Sequence, residues 1–143
     1  MSPRPRRGPV SMRLSDSIIE TAVAVSDLPR ARRFYEQQLG LTPGEEEEGI
    51  SVRYPCGGGT RLFVYLAPDN AGSATGTVAG WFVDDLDAAL DELGDRGIAF
   101  ERYDMPGLRT DDRGVFDAGR FRAAWIRDPD GNTFALTQRA VLM

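Results

Sequence analysis

The sequence predicts an α+β fold of two tandem modules of one kind, each a strand-helix unit followed by a hairpin. Two observations carry this. The stretch ETAVAVSDLPRARRFYEQQLGL at residues 20–41 returns in weaker form as VAGWFVDDLDAALDELGDRGI at 78–98, and laying Asp85-Leu86 on Asp27-Leu28 gives an offset of 58 residues. A matching strand follows each copy, GTRLFVY from Gly59 and GNTFALT from Gly131, offset by 72. Self-similarity of this kind is most economically one supersecondary unit used twice.

In the first unit, Ile19, Val23 and Val25 alternate with Ala22 and Ala24, the period-two pattern of a half-buried strand. Ser26 and Asp27 are good N-caps, and Pro29 falls in the first helical turn, where a missing N–H costs nothing. Leu28, Ala31, Phe34, Tyr35 and Leu39 then recur at helical spacing, and Gly40 supplies a left-handed stop. The second helix repeats the stripe as Leu86, Ala89, Leu90 and Leu93. Strands at 50–54 and 61–66 flank the Gly-rich turn of PCGGG, and strands at 121–127 and 132–138 flank Asp128-Pro129-Asp130-Gly131, a strong turn signal. A further strand is expected at 98–103. The acidic run 45–48 reads as a solvated edge or turn that resists edge pairing. Residues 104–120 lack periodicity and exceed the usual loop length, which suits a lid or partner contact, with disorder as the alternative.

Composition narrows the chemistry. The chain has 143 residues, 41% of them hydrophobic, with no apolar run near the roughly 18 residues that a membrane span needs. All 17 basic residues are Arg; there is no Lys and no His, which excludes Schiff-base lysines, imidazole acid-base catalysis and every His-ligated metal. The single Cys56 sits in a turn with no histidine to activate it and reads as a loop thiol, with a nucleophile as the sharper alternative. Lacking a signal-like segment, the chain fits a reducing cytoplasm. Residues 1–16 read as a disordered arm, 17–68 as module one, 69–76 as a linker and 77–139 as module two. The arm's arginines could meet nucleic acid, but the overall charge of -5 favours a solvated tail and no nucleic-acid partner.

The order VSDLPRARRFYEQQLGL, hairpin, VDDLDAALDELGDRGI, IRDPDGNTFALTQ resembles the vicinal oxygen chelate superfamily over residues 17–138. That group includes glyoxalase I, extradiol dioxygenases and bleomycin-resistance-type antibiotic-binding proteins. The resemblance implies two βαβββ modules whose mixed sheets curve into a cup with the helices on the outer face, and pairing into a homodimer. Metal-dependent members carry a His, Glu or Gln seven residues before the Asp of each Asp-Leu pair and a Glu after the DPDGN turn. Here those positions and their repeat partner read Glu20, Val78, Ala135 and Phe63. One carboxylate does not make a divalent site, so no metal and no other cofactor is expected.

Strand alternation then names the cup lining. If Glu20 faces inward, so do Ala22, Ala24, Val78, Gly80 and Phe82. Across the DPDG turn, Trp125 falls opposite Ala135, and the 72-residue offset puts Arg53 beside Phe63, with Tyr65 on the same face. The expected ligand-binding set is Glu20, Arg53, Phe63, Tyr65, Phe82, Trp125 and Ala135, with Trp81 under the second helix. Such a lining suits a planar, apolar small molecule whose cationic end could meet Glu20, held without chemistry. The competing readings are a glyoxalase- or dioxygenase-like metalloenzyme, a metal-independent lyase or isomerase with Glu20 as general base, and a cup filled by its own side chains with Glu20 and Arg53 paired.

Overall fold

Asp27 starts the first helix as its cap: its carboxylate accepts from the Arg30 N–H (3.0 Å), and Pro29 occupies the first turn. The computed structural model describes residues 13–140, so most of the expected arm lies outside the described residues; within them Leu14–Asp16 forms an exposed 3-10 turn. Helix α1 (Leu28–Arg32) passes directly into π-helical turns over Arg33–Gln38, in which Leu39 N donates to Phe34 O. Phe34 and Tyr35 are both buried there, and Gly40 at φ 80° ends the segment. Helix α2 (Leu86–Asp95) begins the same way, with the Asp85 side chain accepting from Ala88 N (3.0 Å), and buries Leu86, Leu90 and Leu93.

The strands form two four-stranded mixed sheets. Sheet one has the order β1 (Glu20–Val25), β4 (Arg61–Leu66), β3 (Ser51–Pro55), β2 (Glu46–Glu47), with β1 parallel to β4 and the other pairs antiparallel. Sheet two has the order β5 (Thr77–Phe82), β10 (Thr133–Arg139), β9 (Phe121–Arg127), β8 (Phe116–Asp117), again with one parallel pair, β5 with β10. Both hairpins keep the expected register: Trp125 pairs with Ala135 in sheet two, as the DPDG turn implies, and Arg53 with Phe63 in sheet one, as the 72-residue offset implies. The acidic run supplies the short edge strand β2, whose Glu46 is bridged to Arg32 (2.8 Å).

Residues 98–103 form no strand. Glu101 N donates to Trp125 O (2.8 Å), but Tyr103 N is taken by the Thr110 hydroxyl (2.8 Å), so the ladder does not propagate. The stretch 104–120 is ordered chain rather than a disordered loop. It holds a ribbon of β6 (Asp104–Met105) and β7 (Leu108–Arg109) around Pro106-Gly107, then a turn in which Asp111 accepts from Arg113 N and Val115 N. Buried Val115 anchors it, and β8 completes sheet two.

One hydrophobic core unites both helices with one face of each sheet, including Val23, Tyr35, Val64, Leu90, Ile126 and Phe134. Against it lies a buried polar knot. The Asp128 carboxylate, 4% exposed, accepts from the Tyr35 hydroxyl (2.6 Å), Asn132 N (2.8 Å), the Asn132 side-chain amide (2.8 Å) and Asp130 N (3.0 Å). The same Asn132 amide donates to Ala24 O (3.0 Å), and Asp130 accepts from Ser26 and Arg30. The DPDGN turn of sheet two is thereby fastened to the strand-helix junction beside sheet one. Gly72 is needed to let the connecting segment pass: at φ 66°, any Cβ there would run into the Asp130 carbonyl.

Tyr35→Phe keeps the ring and leaves a buried carboxylate one donor short, so it should cost about 1.5–3 kcal/mol, read by urea denaturation at pH 7. Burial, aided by the Asp128 charge, raises the Tyr35 hydroxyl well above the usual phenol range; burial and the bond to Glu36 raise Tyr54 likewise. Both are acids kept neutral by folding, so their contribution is complete below the unfolded tyrosine pKa of about 10 and is lost as pH climbs beyond it. The urea midpoint should therefore fall above that pH, and Tyr35→Phe should flatten the decline; a midpoint independent of pH up to 11.5, or a variant as steep as wild type, would contradict the knot's titration.

Candidate functional site

The sheet faces turned away from the helices carry the expected lining in separate groups. On sheet one, Arg53 forks onto Glu20, Nε donating to Oε2 (2.8 Å) and Nη2 to Oε1 (3.4 Å), while Arg61 Nε lies 3.3 Å from the same Oε2. The bond to Glu20 holds the Arg53 guanidinium above its ordinary range. That guanidinium also lies over Phe63, 4.2 Å from the ring centroid, and Phe63 stacks on Tyr65 at 5.4 Å and 13°. A flat cationic and aromatic surface results, the arrangement in which a planar molecule gains stacking on both ring and guanidinium.

On sheet two, Trp125 lies opposite Ala135, as strand register requires. Its ring meets Tyr103 edge-on at 5.5 Å and 75°, and Phe116 at 6.4 Å. A cleft of about 310 Å³ opens beside it, bounded by Tyr103, Met105, Leu108, Trp125 and Arg127, with Thr77 and Thr133 as hydroxyl donors. Phe82 stands apart, 68% exposed, with the Arg139 guanidinium 4.2 Å above its ring.

Glu20, Arg53, Phe63 and Tyr65 are thus brought together, and Trp125 and Ala135 are neighbours, but the cleft beside Trp125 is not lined by Glu20. Tyr103, Met105, Leu108 and Arg127 were missed by the sequence reading. Their one signal was the Pro106-Gly107 pair, a turn that folds Met105 back beside Leu108. Trp81, expected beneath helix α2 as core, is half-buried: it packs on Phe134 (5.3 Å) and borders open space.

A single carboxylate serves this face poorly as a catalyst or ion ligand. Both Glu20 oxygens are engaged by guanidinium groups, so proton abstraction or metal binding would first have to break charge-assisted bonds. The other three positions at which metal-dependent relatives carry ligands are Phe63, Val78 and Ala135, which offer no donor atoms. Among the described residues no cluster of three or more His, Cys, Asp or Glu side chains is placed to hold an ion. The residues at these positions do not fit a divalent-metal site.

A strand-helix unit and hairpin used twice, sharing one core and leaving two aromatic faces free, defines a paired-module protein with curved mixed sheets. Residues 17–136 match the family described as Glyoxalase/Bleomycin resistance protein/Dioxygenase superfamily, and the chain belongs to it. Among solved structures, a glyoxalase/bleomycin resistance protein from Streptomyces sp. CB03234 is 28% identical, covering 85% of this chain and 100% of its own at a TM-score of 0.62. TnmS3, an antibiotic binding protein from the same Streptomyces, is 26% identical, covering 94% and 100% at a TM-score of 0.62. A glyoxalase/bleomycin resistance protein from Catenulispora acidiphila, at 24% identity, 86% and 98% coverage and a TM-score of 0.64, shares the fold. Among curated proteins none matches the chain.

Purified without chelator, the protein should carry well under about 0.1 equivalent of Zn, Fe, Mn or Ni by elemental analysis, and EDTA should leave its melting temperature unchanged. A stoichiometric metal would show that ligands outside the four inherited positions have been recruited.

Proposed function

We propose that this protein binds a planar aromatic small molecule without transforming it, on the faces that carry Phe63, Tyr65 and Trp125. The observation that supports this most is the cleft beside Trp125, an aromatic slot with hydroxyls and one guanidinium at its edge, in a chain whose inherited ligand positions hold no donor set. The antibiotic-binding relative at 26% identity points the same way. A planar ligand stacks on Trp125 against Tyr103, and Arg53 over Phe63 offers a second stacking surface. Because Glu20 is held by two arginines, stacking rather than attraction to that carboxylate supplies most of the affinity.

The active form in this reading is a homodimer. Ile18, Ile19, Ile50 and Phe82 are more than half exposed, a poor surface for a monomer, and a second copy would close the open faces. Light scattering at micromolar concentration should give twice the chain mass.

Native mass spectrometry and thermal shift against a panel of aromatic antibiotics and metabolites should find ligands that raise the melting temperature. Trp125→Ala should keep the fold yet weaken such a ligand by about 1–3 kcal/mol, through lost stacking and buried area. Trp81→Ala should cost about 2–4 kcal/mol of stability instead, because that ring packs on the core. Turnover of a bound compound that vanishes in Glu20→Gln would replace the binding reading with a lyase or isomerase.

A further inference from the structure

The core is filled unevenly by the two modules. In module one, the rings of Phe34 and Tyr35 fill the space between helix and sheet, at 5% and 0% exposure. The 58-residue repeat puts Glu92 and Leu93 at the corresponding positions of α2, where Glu92 turns to solvent in an ion pair with Arg96 and Leu93 supplies no ring. Trp81, standing where module one has Val23, restores part of the lost volume and no more. What remains is a half-open cleft of about 240 Å³ beside helix α2, walled by Leu39, Leu41, Trp81, Phe82, Leu93 and Leu136, with Glu92 and Arg96 at its edge.

From this geometry we infer a second binding site, separate from the cleft beside Trp125, that takes a small uncharged aromatic molecule of one or two rings in the place of the missing side chains. Size supports the class of ligand: an apolar cavity of about 150 Å³ already takes up benzene, and this one is larger. So does chemistry. The lining is aliphatic apart from Trp81 and Phe82, and the two charges at its edge are paired with each other, so nothing in it compensates a buried ionic group. The site also spans both modules, since Leu39 and Leu41 follow the first helix while the other walls belong to the second module. Occupancy therefore tightens the contact between them.

The two tryptophans make the test direct, because Trp81 borders this cavity and Trp125 the cleft on the other side of the sheet. The full chain is labelled with 5-fluorotryptophan, its two fluorine resonances are assigned with Trp81→Phe and Trp125→Phe, and indole is titrated. The Trp81 resonance should shift saturably while that of Trp125 stays in place. Glu92→Phe with Leu93→Tyr, which copies module one, should weaken indole by about tenfold or more and raise the melting temperature. Leu93→Phe alone provides the milder variant should the double one fold poorly, with a smaller loss in the same direction. Indole that moves only Trp125, or binds the filled variants as it binds wild type, would overturn the site. So would a Trp81 resonance that responds to dilution of the protein and not to indole, which would assign the cavity to a second copy of the chain. A ligand lost on Trp125→Ala bears on the sheet-face reading and leaves this one untouched.

Discussion

The arrangement of the molecule depends on one buried carboxylate. Asp128 lies within the core, where an uncompensated charge would cost several kcal/mol, and it is tolerated because four donors converge on it. Three of those donors are local and shape the DPDGN turn. The fourth, the Tyr35 hydroxyl, comes from the other module, and Asn132 returns the connection by donating to Ala24 O. Asp130 extends the junction outward to Ser26 and Arg30. Module two is thereby fastened to module one, because sliding would cost the carboxylate its Tyr35 donor and break the Asn132–Ala24 bond.

No such knot exists in the opposite direction. The repeat places Cys56 and Thr60 where the second turn has Asp128 and Asn132, and Leu93 where the first helix has Tyr35. The backbone bond of the turn survives, Cys56 N donating to Thr60 O (2.8 Å) as Asp128 N does to Asn132 O (2.9 Å). The side chains that would tie the turn to the partner module do not. Duplicated backbone topology therefore carries unequal packing: tight and polar at one junction, looser and apolar at the other, with Trp81 half-buried between two cavities.

The free faces show the same divergence. Sheet one offers a guanidinium stacked on a phenylalanine and neutralised by Glu20; sheet two offers a tryptophan walled by a short ribbon. At the positions where a metal would need ligands, this chain has apolar side chains and an arginine-bound carboxylate. In the proposed reading such a surface grips flat molecules by area and dispersion.

The sequence alone determined the repeat, the helix starts at Asp27 and Asp85, and the pairing of Trp125 with Ala135 and Arg53 with Phe63. These are local matters: caps, turn residues and period-two alternation act over a few residues, and a tight hairpin turn sets its own register. What the chain does between those landmarks was settled by tertiary contact. The segment 98–103 looked like a strand, but the Tyr103 N–H found Thr110 rather than a neighbouring strand. The ribbon carrying Met105 and Leu108 has too little hydrophobic pattern to announce itself, and gains its place from Val115 in the core. Above all, the free-face residues were known by parity but not by company. Alternation says which side of a sheet a residue faces; only the packed molecule decides that Glu20 meets two arginines, that Trp125 meets Tyr103, and that Trp81 fills part of a space left by two missing rings.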